Sequence, residues 1–252
     1  MGLGDEMMVT GLAREAQARD PRKVRIQYEK GKRRWCPLWD NNPRIAKHEE
    51  QGDFQVLEPR TDYIRPYCSS KTDRQWTWKP YQPPPGEVYF AHWETAFGNL
   101  NPNLIVIGPA LKIGASPNKQ WGHDRWAALT RLLTGTGKMV QMGTTHPQNS
   151  LPAVAFLQTE VRQAAAVIAR ARLVICSEGA LHHIAAAVGT PAVVIYGGYI
   201  SPKVTGYEGQ VALFRGGDGL GCGMRVDCTH CATAMASITP EEVADAALGA
   251  MR

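Results

Sequence analysis

In this chain of 252 residues, the segment Cys176-Ser177-Glu178-Gly179-Ala180-Leu181-His182-His183 brings a carboxylate, a glycine and two imidazoles close together. An apolar run from Leu173 to Cys176 precedes it and a helical pattern follows, so the segment reads as a strand-to-helix turn. Free amides at such a helix start bind anions, and Gly179 lets a diphosphate approach the backbone. His182 on the first turn would offset phosphate charge, while Glu178 suits a ribose or sugar hydroxyl. The bland alternative is a turn capped by Ser177 with a packed histidine, and His183 is read as structural. Gly2-Leu3-Gly4-Asp5 forms a second glycine turn at a helix start, where the helix dipole favours a carboxylate. Asp5 is therefore a candidate general base, although most acids at helix starts only complement the dipole.

Two further groups carry chemistry. Lys30-Gly31-Lys32-Arg33-Arg34-Trp35 is a basic run with a stacking ring beside it. Lys32, Arg33, Arg34 and Trp35, with His92, could line an acceptor site that meets phosphates; a solvated turn is the alternative. Cys222, Cys228, His230 and Cys231 make a soft-ligand cluster. One short loop rarely supplies all four tetrahedral positions, so a structural zinc is not favoured and no metal is expected.

The elements that must position these groups fall into two unlike halves. Residues 6–19 read as a helix, ended by Asp20-Pro21, and residues 23–28 as a strand. From Trp35 to Gly98, prolines interrupt every pattern and Trp35, Trp39, Trp76, Trp78 and Trp93 concentrate, which predicts short strands and loops around a small core. Pro83-Pro84-Pro85 reads as a linker. The second half alternates regularly: strands near 104–108, 138–142, 173–176 and 192–196, with helices near 123–133, 161–169 and 180–188. Continuous apolar strands between helices predict a parallel sheet covered on both faces. Residues 199–223 read as glycine-rich loop, and Thr239-Pro240-Glu241-Glu242 opens a last helix. The expected fold class is α/β, in two domains over residues 1–98 and 99–252.

Composition narrows the class. A net charge of +5, with 44% hydrophobic and 20% charged residues, excludes disorder as the main state and does not announce a nucleic-acid binder. No run approaches the roughly 18 apolar residues of a membrane helix. The start shows no charged leader followed by an apolar block, so a cytoplasmic protein is expected, in the host cytoplasm if phage-encoded. The six cysteines are too sparse for a disulfide scaffold and are expected as free thiols.

In order and spacing, these motifs resemble family 9 glycosyltransferases, the ADP-heptose:lipopolysaccharide heptosyltransferase group. Gly4-Asp5 through Thr10 and Leu12 is similar to the family's opening turn and helix. Ser116 through Trp121 is similar to its phosphate-binding loop, and Ser177 through His182, with Ala185-Ala186-Ala187 and Gly189-Thr190-Pro191, to its Asp-Ser/Thr-Gly-x-x-His element. The resemblance covers residues 1–20 loosely and about 103–251 well. The acid stands at Glu178, one place later than in the family, with Ser177 in its usual place. The chain is short for the family and lacks the strand before Gly4-Asp5, so the start is incomplete or the first domain is reduced.

The resemblance implies a GT-B architecture of two Rossmann-like domains with parallel sheets, the first one reduced. Donor would lie in the second, held by Ser116, Lys119, Ser177, Glu178, Gly179 and His182, and acceptor in the first, with Asp5 as catalytic base. The implied reaction is inverting, metal-independent transfer from a UDP- or ADP-linked sugar, a co-substrate rather than a cofactor. The acceptor would be an envelope glycan or a hydroxymethylated base in double-stranded DNA. A sugar-nucleotide epimerase and a non-catalytic nucleotide-binding module remain as alternatives.

Overall fold

The computed structural model of the protein describes residues 2–28, 31, 34–60, 64–99, 103–109, 114–144 and 151–252. Lys32 and Arg33 lie outside these described residues. Helix α1 spans Leu3–Arg19 and starts three residues earlier than its pattern predicts, because the Asp5 carboxylate accepts the Gly2 amide at 2.9 Å and closes the first turn. Its first half is buried all round, with Met7 fully inaccessible, and so carries little amphipathic signal.

Strands β1 (Val24–Ile26) and β2 (Gln55–Leu57) pair in parallel, and β3 (Cys68–Lys71) and β4 (Trp76–Trp78) form an antiparallel hairpin. Helix α2 (His92–Gly98) follows the proline-rich segment. It was not predicted, since seven residues show too few turns for a helical period to register. The expected tryptophan cluster also divides: Trp35 meets Trp39 and Trp76 meets Trp78, while Trp93 is 58% exposed on α2.

The second half is built on β5 (Leu104–Gly108), α3 (His123–Leu132), β6 (Lys138–Gly143), β7 (Val154–Gln158), α4 (Val161–Ile168), β8 (Leu173–Ser177), α5 (Ala180–Val188) and β9 (Ala192–Gly197). The segment expected to be loop holds α6 (Pro202–Thr205) and β10 (Val211–Phe214). Helices α7 (Thr229–Ala236) and α8 (Pro240–Ala250) close the chain. The Thr239 hydroxyl caps α8 by accepting the Glu242 amide at 3.2 Å. All six strands run parallel in the order β10-β9-β8-β5-β6-β7. Strand order reverses between β5 and β8, and in open α/β sheets a ligand sits beyond the carboxyl ends of the strands at that reversal.

Side chains divide by strand parity. Ile105, Ile107, Ile175, Val193 and Ile195 face the cluster shared with α3 and α8. Val106, Val174 and Val194 face a second cluster that takes in Met7, Val24, Leu38 and Trp39 from the first half. Burial at such positions stabilises by roughly 1.5–3 kcal/mol per large side chain. One hydrophobic cluster thus runs across both halves.

An ion pair reinforces that join. Arg162 on α4 donates to both oxygens of Glu94 on α2, at 2.5 and 2.7 Å, and to the carbonyls of Pro37, Asp40 and Tyr89. Both side chains are buried, and the guanidinium holds the Glu94 carboxyl below its ordinary range. Arg162→Ala strands a buried carboxylate and three carbonyls, so it is expected to lower stability by about 3–5 kcal/mol. Urea unfolding measures this, and an unchanged midpoint would contradict the clamp.

Candidate active site

The site forms where α5 begins, at the sheet's switch point. The chain leaving β5 reaches a 3-10 turn at Pro117–Lys119, and the chain leaving β8 reaches Glu178. Lys119 Nζ donates to Glu178 Oε2 in a short contact, and Nζ lies 5.2 Å from the Tyr199 ring centroid. Glu178 Oε1 lies 3.7 Å from His182 Nε2 and 3.4 Å from the Thr205 hydroxyl. Burial alone would push the Glu178 carboxyl up. Lys119 and then His182 outweigh it and hold the group well below the usual carboxylate range.

His182 and His183 stack with ring centroids 3.9 Å apart. His182 Nδ1 faces Gln210 at 3.3 Å, while His183 Nδ1 meets the Tyr207 hydroxyl at 2.7 Å. Burial, and then His182, Lys119 and Arg65, hold His183 well below the ordinary imidazole value, so it stays neutral. Two buried polar atoms in this cluster, Ser177 Oγ and His182 Nε2, have no hydrogen-bond partner among the described residues. A Cβ at Gly179 would meet only the Ser177 carbonyl, at 3.9 Å, so space at the helix start is open. Open amides, buried polar atoms without hydrogen-bond partners and a lysine are the groups that anion binding at a helix start requires.

Asp5 arrives from the other half. α1 packs on α5 so closely that a Cβ on Gly4 would lie 2.4 Å from the His183 ring; only glycine fits there. This contact puts the first turn of α1 against the first turn of α5. Asp5 Oδ1 accepts from the Tyr67 hydroxyl at 2.5 Å, and Oδ2 faces Arg65 at 3.1 Å. Arg65 also donates to the Tyr67 hydroxyl at 3.0 Å and lies over the Trp76 ring at 4.3 Å. Burial and the neighbouring Asp5 push the Tyr67 hydroxyl up, so it remains a donor. Arg65 and Tyr67 were not identified from sequence; they lie in an unpatterned proline-flanked stretch, and only the fold brings them to Asp5.

The remaining predicted residues separate. Ser116 caps the turn that carries Lys119: it accepts the Asn118 amide at 3.3 Å and donates to the Met224 carbonyl at 3.0 Å. Its hydroxyl thus positions the lysine. Arg34 lies 3.4 Å from the buried Glu6 carboxylate, and Trp35 donates to Asp40 at 2.6 Å while its ring meets Trp39 and His48 edge-on. His92 is exposed at the first position of α2, and no hydrogen bond, ion pair or ring contact joins it to Arg34 or Trp35 among the described residues. Cys222, Cys228, His230 and Cys231 do converge, because α7 supplies the last two and begins directly after Cys228.

The parallel six-stranded sheet with the site at its switch point is a Rossmann-like α/β fold, and the chain as a whole matches solved glycosyltransferases of the GT-B class. The model of glycosyltransferase family 9 (heptosyltransferase) matches residues 22–218, and the chain belongs to that family. Among solved structures, a family 9 glycosyl transferase from Veillonella parvula is similar over 100% of this chain and 95% of its own, at 15% identity and a TM-score of 0.66. The iron-containing dodecameric glycosyltransferase TibC from enterotoxigenic E. coli is similar over 99% of this chain and 76% of its own, at 13% identity and a TM-score of 0.62. E. coli ADP-heptose LPS heptosyltransferase II shares 20% identity over 66% of this chain, with a TM-score of 0.50; the chain spans 53% of that protein. No curated protein matches the chain significantly. No helix among the described residues is long and apolar enough to cross a membrane.

The neutral, buried His183 makes stability depend on pH. Its unfolded form takes up a proton below about pH 6.5, whereas the folded form resists it. Stability is therefore full above that value and falls as pH drops through it. Between pH 7.5 and 5.5 the protein is expected to lose about 1 kcal/mol more than His183→Gln does. Urea titrations at the two pH values measure this, and equal losses would contradict a neutral buried imidazole.

Proposed function

We propose that the protein is an inverting glycosyltransferase that moves a sugar from an ADP- or UDP-linked donor to a hydroxyl group of a glycan. One observation carries this reading: Gly4 packs against the His183 ring, so the helix turn that bears Asp5 meets the helix turn that bears His182, whose neighbour Glu178 pairs with Lys119. A base and a diphosphate site come from opposite halves of the chain, as a two-substrate transfer requires.

The donor diphosphate would lie at the start of α5, against the Gly179 and Ala180 amides. There it would compete with Glu178 for Lys119. Once Lys119 turns to the phosphates, Glu178 is free to accept a sugar or ribose hydroxyl, and His182 Nε2 gains a partner. Asp5 takes the proton from the acceptor hydroxyl as that oxygen attacks the anomeric carbon on the face opposite the diphosphate. The C–O bond to the diphosphate breaks, and its charge is stabilised by Lys119, His182 and the helix amides, without a metal ion at the phosphates. Arg65 and Tyr67 hold the Asp5 carboxylate in place as positioning residues.

A glycan acceptor follows the similarity to a lipopolysaccharide heptosyltransferase. No described residue favours a DNA base over it, since Arg34 and Trp35 are engaged by Glu6 and Asp40.

Asp5→Asn is expected to reduce transfer by about 100- to 10,000-fold while leaving nucleotide-sugar affinity unchanged. Lys119→Ala is expected to weaken nucleotide diphosphate binding by roughly 10-fold or more. Calorimetry with ADP and UDP sugars, and mass spectrometry of glycan and hydroxymethylated-DNA acceptors, measure both. Undiminished transfer by Asp5→Asn removes the base; sugar epimerisation without an acceptor would establish the epimerase instead.

A further inference from the structure

The cysteine-rich segment has no part in the site above, yet it is organised. Cys222 lies in the loop after β10, Cys228 at the start of α7, and His230 and Cys231 in its first turn. Their ligand atoms all lie within 4.8 Å of one another. Cys222 Sγ is 3.9 Å from Cys228 Sγ, and Cys231 Sγ is 3.9 Å from His230 Nδ1. These match the edges of about 3.8 Å that a tetrahedron with metal–sulfur bonds of about 2.3 Å requires. Cys222 and Cys231, at 2.9 Å, need to separate by less than about 1 Å to complete it. The His230 ring lies over Gly198, where a Cβ would be 2.8 Å from Cε1, so the absence of a side chain there makes room for the imidazole. A cleft of about 680 Å³ reaches Cys228 and Cys231 past Asn118, Trp121 and Arg125, providing an entry path.

We infer that Cys222, Cys228, His230 and Cys231 hold one thiophilic divalent metal ion, zinc or ferrous iron, in a closed tetrahedral site. Three thiolates and one imidazole select that class of ion, and four protein ligands leave no open position for catalysis. Each thiol gives up its proton on binding. The ion acts as a staple. Between its ligands, the carbonyl of Met224 accepts from Ser116 and Asn118, and that of Val226 accepts from Asn118, which fixes the turn bearing Lys119. On the other side, the Cys222 carbonyl accepts from Gln75, and the Gly223 carbonyl accepts the Trp76 amide, so the β3–β4 hairpin docks on the same loop. The inference does not depend on which sugar is transferred, or on whether one is.

The test is elemental analysis of the full chain, purified under reducing conditions without chelator and then offered zinc(II) or iron(II) separately. About one equivalent of one metal per chain is expected, falling below about a tenth in Cys228→Ser and Cys231→Ser but retained in Cys36→Ser. Thiol titration of the unaltered protein guards against variants that fail to fold: three thiols are expected to be protected until chelator is added. Background metal after reconstitution, with these thiols reactive or with a Cys222–Cys231 disulfide on peptide mapping, would overturn the site.

Discussion

A carboxylate buried at the start of a helix must have a cation, and the need of Glu178 for Lys119 organises much of this protein. An unpaired ionised carboxylate at this depth would cost several kcal/mol. The lysine comes from a turn on another strand's exit, so that turn has to be fixed. Ser116 and Asn118 fix it by bonding to the carbonyls of Met224 and Val226. The loop carrying those carbonyls is in turn framed by Cys222 and Cys228 and by the hairpin that ends at Trp78, whose indole donates to the Tyr199 carbonyl at 2.9 Å. The ion pair thus reaches from the sheet's switch point to the first half of the chain. On the proposed function, a diphosphate at the helix start would compete with Glu178 for the same lysine.

The first half is small and depends on the second. Among the described residues its strands form only a two-stranded parallel pair and one hairpin, too little to bury a core alone. It is completed by α1 lying on α5, by the shared hydrophobic cluster, and by the Arg162 clamp. This dependence has a functional side. A carboxylate on α1 keeps its position relative to α5 only if the helices cannot slide, and Gly4 against the His183 ring gives that close fit.

Much of the second half was legible because its signals are local. The segment from Leu173 to His183 contains strand, glycine and helix start within a few residues, and the structure places α5 at Ala180–Val188 as the pattern does. The edge strands were not legible. β7 and β10 are half-buried, so they lack the continuous apolar run of β5, β8 and β9, and glycines on both sides of β10 suggest loop. α7 was not predicted: its eight residues span barely two turns, too few for a helical period to register. At the site, Glu178, His182 and Asp5 could be found from their glycine turns, and Lys119 only through family resemblance. Arg65 and Tyr67 could not be found, since they meet Asp5 across 60 or more residues and share no motif with it. Of the basic run, Arg34 lies against a buried carboxylate and Trp35 packs in the small aromatic core.

The most direct test of the account is a crystal structure with an ADP or UDP sugar bound. The account predicts the diphosphate within hydrogen-bond distance of Lys119 Nζ and the Gly179 and Ala180 amides, Glu178 released toward a sugar or ribose hydroxyl, and the anomeric carbon facing Asp5. A diphosphate bound elsewhere, such as in the cleft between Trp121 and Arg125, with Lys119 still paired to Glu178, would contradict it.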